Sequence, residues 1–196
     1  MKKLEIIGYK RANLGKKEAK QLRREANVPC VLYGGEKQVH FHSPMILFRE
    51  LLYTPDAYLV NLDVEGDEYK CILQDVQFHP VSEMILHADF LEYTEDKPVK
   101  MEIPVKPVGN SPGVQVGGRL MTKIRKLKVR ALAKDLPDYI NVDISDLELG
   151  KSVKVKDIKA ENFEILNSPS NPVLSVEIPR ALRSKKAASG EDSEEE

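Results

Sequence analysis

Cysteine is scarce in this sequence, and its two occurrences, Cys30 and Cys71, stand far apart inside apolar, strand-like runs. There is no CxxC pair and no Cys/His cluster at zinc spacing. The thiols therefore read as buried and reduced, in keeping with a reducing compartment. No run approaches the ~20 apolar residues of a membrane span. The start, Met1-Lys2-Lys3-Leu4-Glu5, is basic but lacks the long apolar core of a signal peptide. The expected setting is the cytoplasm. Catalytic signatures are missing too: Gly8, Gly15 and Gly34-Gly35 make no G-x-G-x-x-G, no glycine-rich loop leads from a strand into a helix, and there is no nucleophile elbow.

A net charge of either sign is also lacking. Lys plus Arg (30) nearly balance Asp plus Glu (31), so the total says nothing about nucleic acid. Position says more. Residues 2–24 hold nine Lys/Arg against two Glu, residues 119–134 hold seven with no acid, and the last six residues hold five acids. The charge is segregated along the chain, and that is the informative quantity.

At 196 residues the chain has room for one large domain or two small ones. Leu4 to Tyr9 predicts a strand, and Gly15 to Asn27 a helix with Ala19, Leu22 and Ala26 as a narrow apolar stripe. Lys16, Lys17, Lys20, Arg23 and Arg24 occupy much of the remaining circumference, diluted by Glu18 and Glu25. Lysines in a first turn oppose the helix dipole, so they form either a merely solvated face or a polyanion contact. Cys30 to Tyr33, stopped by Gly34-Gly35, pairs with Val39 to His42 as a hairpin. Tyr33 suits an edge aromatic and a base-stacking or phosphate-reaching ring equally well. Ser43-Pro44 predicts a helix start, Ser as N-cap and Pro at the first position. That helix would run to about Tyr53 and bury Ile46, Leu47, Phe48 and Leu51. Tyr58 to Val64 and Tyr69 to Val76 form a hairpin around Gly66-Asp67.

After Thr94 helical periodicity fades. Short β-branched runs alternate with Pro and Gly turns: 99–108, 120–124, 127–131, 140–144, 153–155, 163–166 and 173–178, with a turn or loop at Asn110-Ser111-Pro112-Gly113. This pattern predicts an antiparallel β unit. The basic residues of 119–134 fit a second RNA contact and an ordinary exposed strand face equally.

The stretch richest in chemistry is Gln74-Asp75-Val76-Gln77-Phe78-His79-Pro80, continuing to His87-Ala88-Asp89-Phe90. It reads as two strands around a short connection, with two Gln, two Asp and two His within sixteen residues. His87 and Asp89 share a face because strand side chains alternate. With His79 they are the one group resembling a metal or acid/base constellation, but nothing around them supplies the rest of a catalytic site. Such a face is also suited to RNA. Gln74, Gln77 and His87 donate and accept, Asp89 accepts, and A-form RNA offers 2′-hydroxyls and base edges in a wide minor groove. Lysines and arginines of the basic helix would then position the phosphates.

The pattern Arg11-xxx-Gly15-Lys16, Leu22-Arg23, Pro29, Tyr33-Gly34-Gly35, then Gln74-Asp75-Val76-Gln77-x-His79-Pro80 and His87-x-Asp89-Phe90 resembles the bacterial large-subunit ribosomal protein family that binds 5S rRNA, number twenty-five in its series. The β-rich extension resembles the long Ctc, or general stress protein, form. The resemblance implies an α+β N-terminal domain built as a six-stranded β-barrel, like the anticodon-binding domains of glutaminyl-tRNA synthetase. A mostly antiparallel β C-terminal domain would follow it. The expected division is 1–93, 94–180 and an acidic, disordered tail over 181–196.

The resemblance also implies binding to the loop-E region of 5S rRNA within the large ribosomal subunit. Arg11, Tyr33, Gln74, His87 and Asp89 stand at the family's motif positions, and Lys16, Lys20 and Arg23 lie on the basic helix. Where many members have consecutive arginines this chain has Lys20-Gln21, which keeps one charge but loses the bidentate fork. No cofactor or catalysis is implied. The C-terminal domain has neighbouring ribosomal proteins as candidate partners. A tRNA-binding module and a stress-related protein-interaction module are the other readings.

Overall fold

A computed structural model of the chain describes residues 1–160 and 162–179. The expected acidic tail, 181–196, lies outside them. Six strands, β1 (Lys2–Lys10), β2 (Asn27–Tyr33), β3 (Val39–Pro44), β4 (Tyr58–Val64), β5 (Asp67–Phe78) and β6 (Ile85–Glu92), close into a barrel in the order β1-β3-β2-β6-β5-β4. The β1–β4 and β2–β6 seams are parallel and the others antiparallel. Closure leaves no strand edge unpaired. Phe41, Phe48 and Phe90 fill the interior with no exposed surface, ring centroids 5.8 Å apart for Phe41–Phe90 and 6.2 Å for Phe48–Phe90. Gly8 admits this packing: a Cβ there would stand 2.6 Å from the Phe41 ring.

The first helix, α1 (Lys16–Arg24), is shorter than the sequence suggests. Ala26 turns left-handed (φ 58°) and Asn27 already belongs to β2, paired with Pro44. Strand pairing therefore claims the last turn, and Ala26 is exposed rather than part of the apolar stripe. The expected helix start at Ser43-Pro44 is also corrected. Ser43 is fully buried in β3 and its hydroxyl donates to the Ile7 carbonyl at 2.7 Å, leaving nothing to cap. A 3-10 turn (Met45–Phe48) and α2 (Arg49–Tyr53) follow instead. Phe48 and Leu51 go inward, whereas Ile46 stays 68% exposed.

The second half supplies β7 (Val99–Val108), α3 (Pro112–Gln115), β8 (Arg119–Thr122), β9 (Lys126–Ala131), β10 (Ile140–Asp143), β11 (Ser152–Lys154), β12 (Glu164–Ile165) and β13 (Pro172–Glu177). They form a four-stranded sheet, β10-β7-β9-β12, and a three-stranded sheet, β11-β13-β8. Among the described residues of this half only the β10–β7 pair is parallel, so the expected mostly antiparallel β region is borne out. The expected loop at 110–113 instead carries α3, where Ser111 accepts from the Val114 amide and Pro112 opens the helix. The Ser-Pro start signal thus works here and not at Ser43.

Ile103, Leu127, Val129, Val173, Leu174 and Val176 form the second core, which Leu59 and Ile72 of the barrel also join. Polar ties cross the same junction: Asp56, which also accepts from Lys2 within the barrel, accepts from the Tyr139 hydroxyl, and Glu95 lies between Lys70 and Lys134. The two cations hold the Glu95 carboxyl below its usual range, Lys134 with the larger share.

Cys30 and Cys71 are both fully buried, and burial pushes their thiols up. The reactive thiolate is therefore depleted at neutral pH. Iodoacetamide is expected to label neither thiol in the folded protein during a period in which the denatured protein labels fully, as read by intact mass. Equal labelling rates in the two states would contradict the packing.

Candidate nucleic-acid interface

Strands β5 and β6 pair antiparallel with register shifts at Leu73/Asp75 and at Gln77/Phe78, and the first of these shapes the site. Leu73 faces Phe90 and Asp75 faces Asp89, so Gln74 is an extra, unpaired residue. Such a bulge shifts the in–out alternation. Leu73 and Val76 both pack against the barrel core, while Gln74, Asp75 and Gln77 are exposed. Register then sets Asp75 opposite Asp89 and Gln77 opposite His87. His87 Nδ1 lies 2.6 Å from Asp89 Oδ1, each side chain about one-third exposed. Asp75 Oδ1 accepts from the Val76 amide at 2.9 Å.

Two carboxylates directly opposite each other across a strand pair destabilise it. Fold stability gives no reason for Asp75 and Asp89 to stand there.

Tyr33 flanks this face from β2, where Val31 pairs with Asp89 and Tyr33 with Leu91. Burial raises the Tyr33 hydroxyl's pKa, and the charges of Asp89 and Asp75 raise it further. It stays a neutral donor within the field of both carboxylates. The turn after it requires glycine: Gly34 has φ 99° and a Cβ would stand 2.6 Å from Leu91.

The basic helix lies beside the same strand. Arg23 Nε donates to the Leu86 carbonyl at 2.9 Å, one residue before His87. Leu22 is the buried residue of α1, while Lys16, Lys17, Lys20 and Arg24 are exposed. None of these four has an ion-pair partner among the described residues. Gly15 precedes the helix without a side-chain cap.

The ribosomal L25p family model matches residues 6–90, and the model for the C-terminal domain of ribosomal protein TL5 matches 98–180. The chain is 60% identical to the large ribosomal subunit protein bL25 of Cytophaga hutchinsonii, over 96% of this chain and 98% of that protein. The chain belongs to the ribosomal L25p family. It is also 58% identical to the bL25 of Amoebophilus asiaticus over 93% of each chain. With that of Phocaeicola vulgatus it shares 43% over 97% of this chain and the whole of the relative. Among the described residues of this family member, no helix is long and apolar enough to cross a membrane.

The L25p-family chain gathers Tyr33, Gln74, His87 and Asp89 on or beside one sheet face, with Lys16, Lys20 and Arg23 on the adjoining helix. Arg23 spends its Nε on the fold. Arg11 stands apart, since β3 and β2 separate β1 from β6. Its amide donates to the His40 carbonyl, its Nη2 donates to the Asn13 carbonyl at 3.3 Å, and its Nε is shielded from solvent without a partner among the described residues. His79 does not join His87 and Asp89: its Nδ1 accepts from the Val81 and Ser82 amides and holds the β5–β6 turn. Asp75 and Gln77 belong to the face by register. Strict alternation counted from Leu73 hides Asp75, because the bulge reverses its side.

Proposed function

We propose that this chain, a structural ribosomal protein by family, serves in the large subunit by binding the loop-E region of 5S rRNA in the bacterial cytoplasm. His87, Asp89, Gln74 and Tyr33 meet the minor groove, with Asp75 and Gln77 beside them. Lys16 and Lys20 hold flanking phosphates, and Arg11 offers a further contact at the root of the helix.

The observation that carries this is the opposition of Asp75 and Asp89, with His87 held against Asp89 and unpaired lysines on the next element. Carboxylates near a polyanion are repelled unless each accepts from a donor, and guanine amino groups and 2′-hydroxyls are such donors in a minor groove. Lysines free of acid partners supply the sequence-independent attraction.

Titration of the full chain with 5S rRNA and with tRNA across a potassium chloride series tests this. A clear preference for 5S rRNA is expected. His87→Ala should lose both affinity and preference. Lys20→Ala should keep the preference, lower affinity and reduce the salt slope by about one. Equal, weak binding of both RNAs with His87→Ala silent would overturn the reading. A preference for tRNA would favour the tRNA-binding module.

A further inference from the structure

Beyond the barrel face, β5 borders a second feature. A cleft of about 580 Å³ lies between the barrel and the β7–β9 sheet, lined on one side by Gln74, Asp75 and Val76 and on the other by Lys100, Lys126 and Lys128. It begins where the polar face ends, because Asp75, opposite Asp89, belongs to both. On β9 exposure alternates strictly, so Lys126, Lys128 and Arg130 project on the side away from Leu127, Val129 and Ala131. Register places Lys126 opposite Pro104, Lys128 opposite Glu102 and Arg130 opposite Lys100. The Arg130–Lys100 pair sets like charges against each other across a strand pair, which costs stability. It mirrors the Asp75–Asp89 pair on the barrel.

The acids of the cleft offset only part of this basic charge. Asp56 is held by Lys2 and the Tyr139 hydroxyl, Asp75 accepts from the Val76 amide, and Glu102 pairs with Lys128 at 4.0 Å, the long limit of an ion pair. Arg130 has Glu164 across its other side in register, with no ion pair between them. Lys100 and Lys126 have no ion-pair partner among the described residues.

We propose that this cleft takes the phosphate backbone of the same RNA, held by Lys100, Lys126 and Lys128, so that one RNA runs from the His87–Asp89 face across β5 onto the second sheet. The inference rests on the 5S rRNA reading of the barrel face. Lys100 and Lys126, unpaired among the described residues and beside Lys128, favour the phosphates of a polyanion, and continuity with the barrel face selects RNA. The other polyanion at hand is the chain's own acidic end, Glu191 to Glu196.

The test is a 5S rRNA and tRNA titration over a salt series with the full chain, its Lys100→Gln/Lys126→Gln/Lys128→Gln variant and His87→Ala. Circular dichroism confirms folding of the exposed triple substitution. Each phosphate contact carries ~0.7–0.9 of salt slope. The triple variant should therefore bind 5S rRNA with a slope shallower by about two to three and keep its preference over tRNA, which resides at His87. An unchanged slope while His87→Ala still loses preference would overturn the cleft proposal and leave the barrel reading standing. A silent His87→Ala would overturn the barrel reading and this proposal with it. Carbodiimide cross-links joining these lysines to 191–196 in the RNA-bound complex would overturn it in favour of the acidic end.

Discussion

Changing Asp89 to Asn is expected to weaken 5S rRNA binding roughly 10- to 100-fold, the size of one lost hydrogen bond to a charged group (about 1.5–3 kcal/mol). The barrel should stay as stable as before, or become slightly more so. The two effects separate because of where Asp89 stands. Its Oδ1 lies 2.6 Å from His87 Nδ1, so in the neutral ring Nδ1–H donates to the carboxylate and Nε2 is left as an outward acceptor. An amide in that place holds the ring without charge and equally well in the reversed orientation. At about one-third exposure the pair adds little to stability. Removing one of two opposed carboxylates returns ~0.2–1 kcal/mol. Denaturant unfolding and RNA titration of the same preparation decide the matter. A stability loss that matches the affinity loss would make the pair a brace of the fold, and the recognition reading would fall.

What could be read along the chain follows from how local each signal is. The alternation Lys126-Leu127-Lys128-Val129-Arg130-Ala131 names both a strand and its wet face, and β9 shows just that. His87 and Asp89 two residues apart on a strand had to share a side. The Ser-Pro signal shows the limit. At Ser111-Pro112 the hydroxyl is free to cap; at Ser43-Pro44 it is claimed by Ile7, 36 residues away. The parallel seams β1–β4 and β2–β6 join distant segments and leave no local period, so pattern leaves an α+β unit and a small barrel both open, and the six-stranded closure follows from the resemblance.

The same distinction sorts the basic residues. Lys123 pairs with Glu177 and Lys134 with Glu95, while Lys126 and Lys128 face the cleft. One uniform run in sequence thus becomes three environments in space. Arg23, which looks like its neighbours on α1, proves to be tied to Leu86. None of these assignments is visible without the strands that supply the partners.

The largest loss of stability is expected from Phe90→Ala, about 3–5 kcal/mol. Phe90 has no exposed surface and lies against both Phe41 and Phe48, so truncation removes its own burial and two aromatic contacts. Closure keeps the wall from collapsing, since β6 is pinned by β2 on one side and β5 on the other. The cavity therefore stays open, and the cost sits at the upper end of its range. Against a typical total of ~5–15 kcal/mol, that is a third or more of what holds such a fold together. Phe90→Leu, which keeps most of the volume, should cost less. Urea midpoints at constant slope measure both. Phe90 follows Asp89 on the same strand but points to the opposite face. Phe90→Ala should thus lower the folded fraction while the molecules that remain folded keep their preference for 5S rRNA. Asp89→Asn does the reverse, and a loss below ~1 kcal/mol for Phe90→Ala would show that the three rings are not the packed centre of the barrel.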